Sequence, residues 1–204
     1  MHTRCAIMLL VALAVPAQAK TLTVRVLDGG GRAVPNAVVT AQLPGAPRAE
    51  PRGAYTVSQK DLQFHPFVIV VPVGAKISFP NNDDTRHHVY SFSAPKRFEL
   101  KLFARDQSRA VVFDKPGVVA LGCNIHDQMS AFVYVAESGW AVRTDARGIA
   151  TFADVPAAAG TLQVWHPSLR GPGNLASFAL APGQTALAAT VPLRAQPVRP
   201  AEGY

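Results

Sequence analysis

Apolar and polar positions alternate at the start of the chain: Leu22, Val24 and Val26 are interleaved with Thr21, Thr23 and Arg25. A period of two is that of a strand with one buried face. Asp28-Gly29-Gly30-Gly31-Arg32 then predicts a turn, and Ala37 to Gln42 a second short strand. Leu43 to Gly53 is rich in Pro, Gly and Arg and has no period, so it reads as a linker or long loop. From Tyr55 short apolar runs recur: Val68 to Val71, Lys76 to Phe79, Val89 to Phe92, Val111 to Phe113, Val118 to Leu121 and Ala131 to Val135. Phe98, Leu100 and Leu102 form a further alternating stretch. Turn signals such as Pro72-Val73-Gly74-Ala75 and Asp114-Lys115-Pro116-Gly117 separate them. The spacing predicts about six to eight short strands over 55–137, a sandwich or barrel. After the turn at Thr144-Asp145-Ala146-Arg147-Gly148, strands are expected at Ile149 to Phe152, Leu162 to Trp165, Phe178 to Leu180 and Thr185 to Leu193. No segment sustains a helical period, so the fold class is all-β.

Neither flank suffices alone. Residues 21–44 offer two strands, and an isolated two-stranded piece is marginal in water. Joined to the strands of 140–193 they make one sandwich. The expected architecture is therefore a central unit, 55–137, inserted between 20–54 and 138–194 as halves of a second small β-sandwich. The competing picture is one enlarged barrel with ragged ends, and contact between 21–44 and 140–193 separates the two.

The first nineteen residues are expected to be a leader: Arg4, an apolar run from Ala6 to Val15, and Ala17-Gln18-Ala19 as a small-x-small cleavage site. The run is shorter than the roughly 20 residues a membrane span needs, so no integral membrane segment is expected in the mature chain. Residues 195–204 are Pro-rich and polar, a loose tail. Loss of the leader removes Arg4, lowering the formal charge from +7 to +6, and removes Cys5, leaving Cys123 as the only cysteine. A lone thiol in an oxidising compartment is buried and inert, paired with another chain, or held by a metal. The positive charge is spread out and points to an acidic partner surface. Without a basic patch interleaved with aromatics, nucleic-acid binding is not expected.

The metal alternative is favoured by Gly122-Cys123-Asn124-Ile125-His126-Asp127-Gln128-Met129, spaced C-x2-H-x2-M, and by Arg86-His87-His88-Val89-Tyr90 upstream. Two imidazoles and a thiolate in a plane, with a weak axial thioether, suit mononuclear copper of the blue type. Taken singly, Cys123 and Met129 are ordinary core residues. The conjunction of ligand types, order and spacing in a β context carries the assignment. Zinc suits thiolate and imidazole but not Met. A binuclear copper centre needs a second cysteine. A Cys123–His126 nucleophile lacks any visible oxyanion donor. Consecutive strand residues face opposite ways, so only one of His87 and His88 can line the site. His65 and His166 read as structural, Asp127 as solvated, and Asp83-Asp84 as a turn and solubilising pair.

Gly117-x5-Cys123-x2-His126-x2-Met129 before a closing apolar strand, with Asn81-Asn82 ahead of a histidine, resembles the cupredoxins, with the amicyanin spacing. The whole chain resembles plastocyanin-like periplasmic proteins of the methylamine utilisation type. Its flanks resemble the carboxypeptidase-regulatory, transthyretin-like sandwich, through Val24-x-Val26-x-Asp28, Pro35-Asn36-Ala37-Val38-Val39 and the 144–148 turn. The resemblance implies a cupredoxin Greek-key sandwich holding one copper ion on His87, Cys123, His126 and Met129, with His88 as the alternative to His87. The family reads His-Asn-Val, which places the ligand at His87 and puts His88 where an Asn ties the ligand loops. Gly122 stands where an aromatic often precedes the Cys, and Ile125 where Pro is frequent. The implied function is one-electron transfer in the periplasm with a redox protein partner, a cytochrome or dehydrogenase, and no enzymatic activity. A periplasmic copper chaperone or store, and a metal-free β-sandwich binding module, are the alternatives.

Overall fold

The computed structural model describes residues 19–194. The expected leader, apart from Ala19, and the expected tail at 195–204 lie outside them. Two strands come first, β1 (Lys20–Asp28) and β2 (Val38–Gln42). The central stretch holds β3 (Tyr55–Thr56), β4 (Ser58–Lys60), β5 (Gln63–His65), β6 (Val68–Pro72) and β7 (Ala75–Pro80). It continues with β8 (His87–Ser91), β9 (Phe98–Phe103), β10 (Ser108–Phe113), β11 (Gly117–Gly122) and β12 (Ser130–Ala136). The last five are β13 (Ala141–Arg143), β14 (Ile149–Val155), β15 (Gly160–Trp165), β16 (Leu175–Leu180) and β17 (Ala186–Val191). The protein is all-β, and its one helical element among the described residues is a single 3-10 turn at Pro172–Asn174.

The two ends of the chain build one sandwich. β1 lies between β14, antiparallel, and β17, parallel. β2 lies between β13 and β15, both antiparallel, with β16 beyond β15. The period-two pattern of β1 does what it predicts: Leu22, Val24 and Val26 are fully buried, in one cluster with Val39, Phe152, Leu162, Val164 and Val191. Thr144 sews the halves together. Its hydroxyl donates to the Val34 carbonyl at 2.8 Å and accepts from the Ala37 amide at 2.9 Å, and all of it is buried. Gly148, at φ 73°, has no alternative in its turn, because a Cβ there would sit 2.5 Å from the Val26 carbonyl oxygen. Strands of 21–44 thus pair with strands of 140–193.

The central strands build the other sandwich. One sheet runs β6-β12-β11-β8-β9 and the facing one β10-β7-β3, with β4-β5 as a separate hairpin. Ile77, Phe79, Val89, Phe103, Phe113, Val119 and Val133 fill the space between them. A third cluster, Val38, Val68 and Trp165 with Phe132 and Tyr134 against it, joins the two sandwiches. Trp165 meets the rings of Phe132 and Tyr134 at 5.6 and 5.8 Å.

Candidate metal centre

The upstream histidines stand at the start of β8, after the loop 81–86. Asn81, fully buried, shapes that loop. Its side-chain amide donates to the carbonyls of Thr85 (2.8 Å) and Phe103 (3.0 Å), and its Oδ1 accepts from the Asp83 amide (2.9 Å). β8 pairs with β9 through His87↔Phe103 and then Val89↔Leu100, with a register shift between. His88 falls at that bulge. His87 points inward and is fully buried. His88 points to the other side, with Nε2 2.9 Å from Glu99 Oε1 and its ring 5.7 Å from the Tyr90 ring.

The downstream residues leave the end of β11. Gly122 pairs with Ser130 on one side and Tyr90 on the other, so Cys123 emerges beside β8. The loop 123–129 turns back on itself, the Met129 amide donating to the His126 carbonyl at 2.9 Å. Asn124, Ile125, Asp127 and Gln128 are exposed, while Cys123 and Met129 are buried in the core cluster that also holds Phe103 and Leu121. Asp127 is thus solvated, as expected.

These two loops bring His87, Cys123 and His126 together, one ligand atom of each lying within 4.8 Å of the others. Cys123 Sγ is 3.8 Å from His87 Nδ1 and 3.8 Å from His126 Nδ1. The two imidazole rings are 5.1 Å apart. A metal about 2.3 Å from a thiolate and about 2.05 Å from an imidazole, with 120° between the bonds, holds S and N about 3.8 Å apart; a tetrahedral angle gives about 3.6 Å. The donor set and its spacing fit one ion held by Cys123, His87 and His126. His88, turned to Glu99, is not part of the cluster.

A carboxylate stands behind His87. Asp83 Oδ2 is 2.7 Å from His87 Nε2, and the Asp83 side chain is 11% exposed against 0% for the histidine. Asp83 also accepts from the backbone amides of Asp61 (2.6 Å) and Leu62 (3.1 Å) at the tip of the β4-β5 hairpin. Burial pushes its carboxyl up, but the hydrogen bonds from His87, Leu62 and Asp61 outweigh it and hold the group below the usual carboxylate value. This corrects the reading of Asp83-Asp84 as a solubilising pair. It holds for Asp84, which is 89% exposed and paired with Arg105, and fails for Asp83. The i,i+4 spacing of Asp83 and His87 was the available signal. The hairpin was not visible, because Asp61-Leu62 takes up φ of 53° and 55° without the Asn-Gly chemistry that announces such a turn.

Gly122 has a steric reason. A Cβ there would lie 2.8 Å from Tyr90 Cζ and 2.9 Å from its Oη. The ring of Tyr90, delivered from β8, covers the backbone next to Cys123, and the Phe92 ring lies tilted against it at 5.1 Å while remaining 77% exposed. Of the other histidines, His65 is exposed with Nε2 3.2 Å from the Lys60 carbonyl. His166 is buried in the other sandwich, and burial lowers its pKa to about 4.

No protein-family model matches the sequence, and no curated protein matches it significantly. Among solved structures, a Cu-containing nitrite reductase from Thermus scotoductus is 27% identical over 48% of this chain and 25% of that chain, with a TM-score of 0.40. The match thus spans a quarter of the nitrite reductase. A purple cupredoxin from Nitrosopumilus maritimus is 19% identical over 40% of this chain and 99% of that chain, with a TM-score of 0.37. A reduced Cu(I) form of an amicyanin variant is 19% identical over 48% and 98%, with a TM-score of 0.38. The described residues contain no helix long and apolar enough to cross a membrane.

Proposed function

We propose that the chain is an exported type 1 copper protein that transfers single electrons. The observation that carries this reading is the placement of His87 Nδ1 and His126 Nδ1 each 3.8 Å from Cys123 Sγ, with that thiol buried and unpaired. His87, Cys123 and His126 would hold the ion, with the Met129 thioether as a fourth, weaker donor. Copper bound there supplies a Cu(II)/Cu(I) couple that takes up and returns one electron. The protein's part is to keep the ligands still. His87 is locked by Asp83, and Cys123 and Met129 are packed in the core. A site that does not rearrange adds little to the barrier for electron exchange.

His126 is only half-buried and follows Ile125, which is 48% exposed. Its edge is the point of entry for an electron, and the face around it meets the redox partner, a cytochrome or dehydrogenase, in a small transient contact. The leader at 1–19 takes the chain to the periplasm. Residues 55–137 form the copper domain, with 20–54 and 138–194 as the carrier sandwich and 195–204 as a tail, as in the methylamine utilisation type. In this reading the protein's task is to carry an electron, not to transform a substrate.

The experiment is to add one equivalent of Cu(II) to the metal-free protein and record its visible spectrum. An intense thiolate-to-copper charge-transfer band is expected, and it disappears in Cys123→Ala. A colourless complex with Cys123 reduced would exclude the type 1 site. Rapid loss of copper to a mild chelator would replace electron transfer by copper storage or delivery.

A further inference from the structure

His87 is fully buried, so each ring nitrogen is defined by what faces it. Nδ1 faces Cys123 Sγ, and Nε2 faces Asp83 Oδ2 at 2.7 Å. A neutral imidazole carries one proton, and an ionised carboxylate can only accept. A proton on Nε2 would meet this carboxylate and leave the Nδ1 lone pair aimed at the ligand cluster before any ion arrives. Asp83 is itself held from three directions. Asp61 N donates to Oδ1, Leu62 N donates to Oδ2, and the Asp83 amide is tied to Asn81 Oδ1 at 2.9 Å. The two amides come from the tip of the β4-β5 hairpin, which belongs to neither sheet of the sandwich.

We propose that Asp83, clamped by the 58–65 hairpin, is a positioning residue for the metal centre: it fixes the tautomer and orientation of His87 and, as a fixed negative charge one imidazole away from the ion, favours the more highly charged oxidation state. This rests on the copper reading. The hairpin then has a task that its small buried area does not otherwise explain, since only Gln59 and Phe64 of its strands are buried. In Asp83→Asn the new amide cannot satisfy both sides. If its oxygen takes the Oδ1 position and keeps the Asp61 amide, its NH2 confronts both the Leu62 amide and the Nε2–H of His87, donor against donor; if the two are exchanged, the NH2 confronts the Asp61 amide.

The test compares Asp83→Asn with Asp84→Asn in the full chain at pH 7. Both remove one negative charge, but Asp84 is exposed and does not touch His87. Asp83→Asn is expected to weaken Cu(II) binding by about 10–100-fold, the usual consequence of removing a carboxylate behind a ligating histidine. Cu(I) binding is expected to fall less, so the potential rises by about 59 mV for each tenfold difference between the two states. Asp84→Asn is expected to leave both unchanged. Equal affinities and potentials in the two variants would overturn the proposal while leaving the copper assignment intact. Should Asp83→Asn fail to fold, nitrogen NMR of the His87 ring in metal-free wild-type protein decides: an Nε2–H tautomer supports the proposal, and an Nδ1–H tautomer overturns it. That measurement stands even if copper gives no charge-transfer band.

Discussion

Asn81→Ala removes the brace of the upstream ligand loop. Three hydrogen bonds disappear, to Thr85 O, to Phe103 O and from Asp83 N. They are not equivalent. Thr85 is exposed and Asp83 only partly buried, so water can replace the lost partner at both; each bond then costs about its net value, 0.5–1.5 kcal/mol. Phe103 is 1% exposed, so its carbonyl loses an interior donor with little access for water, at about 1–3 kcal/mol. Together these come to about 2–6 kcal/mol before the missing side-chain volume is counted. For a chain of this size about 1 kcal/mol corresponds to 2–4 °C, so the melting temperature should fall by roughly 10 °C. The measurement belongs on metal-free protein, since a bound ion adds stability of its own by mass action. Calorimetry or urea unfolding of the two proteins gives the difference directly. A loss below about 1 kcal/mol would show that the three bonds are readily replaced by water and that Asn81 does not hold the loop.

Two further substitutions address the sandwich built from the chain ends. Thr144→Val keeps the shape but strands the Val34 carbonyl and the Ala37 amide, both buried partners of its hydroxyl, so a loss of about 2–5 kcal/mol is expected in urea unfolding. The blue band should be unchanged in the folded variant, because no group of the cluster touches Thr144. His166, 7% exposed, has a folded pKa of about 4 against an ordinary 6.5. The unfolded chain therefore binds the proton more readily. Stability is complete above about pH 6.5 and falls as the pH drops toward 4, by at most about 3 kcal/mol. Urea midpoints of His166→Asn across that range should lack this acid limb, and an unchanged slope would assign it to other groups.

The fold was legible wherever burial imposes a period. Leu22, Val24 and Val26 announce β1 because one face of that strand meets water and the other a core. The need for two marginal ends to join follows from counting strands, and β1 with β14 and β17 satisfies it. What remained hidden had weak patterns or distant partners. β4 and β5 are three-residue, mostly polar strands that pair with each other and, beyond that, through a single bridge from Gln59 to Asn81. The parallel pairings of β1 with β17 and β6 with β12 join segments far apart in the chain, and nothing local marks them. β13 is three residues long with no buried residue.

The candidate site divides along the same line. Cys123, His126 and Met129 sit in one short loop, so their spacing could be read directly. The choice between His87 and His88 could not, because alternation allows either to face inward and only the register decides. That register is a property of the β8-β9 pair, which shifts between His87 and Val89. The bulge gives His87 to the cluster and His88 to Glu99, and a one-residue slip would exchange them. Asp83 was further from reach. Its role depends on two amides from a hairpin about twenty residues earlier, turned toward it by backbone of positive φ at Asp61 and Leu62. Ligand identity lies in residue type and spacing, whereas the atom each ligand presents is set by tertiary contacts behind it. For that reason Asp83→Asn probes the centre more sharply than replacement of any ligand: it leaves every donor in place and removes only the charge and the acceptor behind His87.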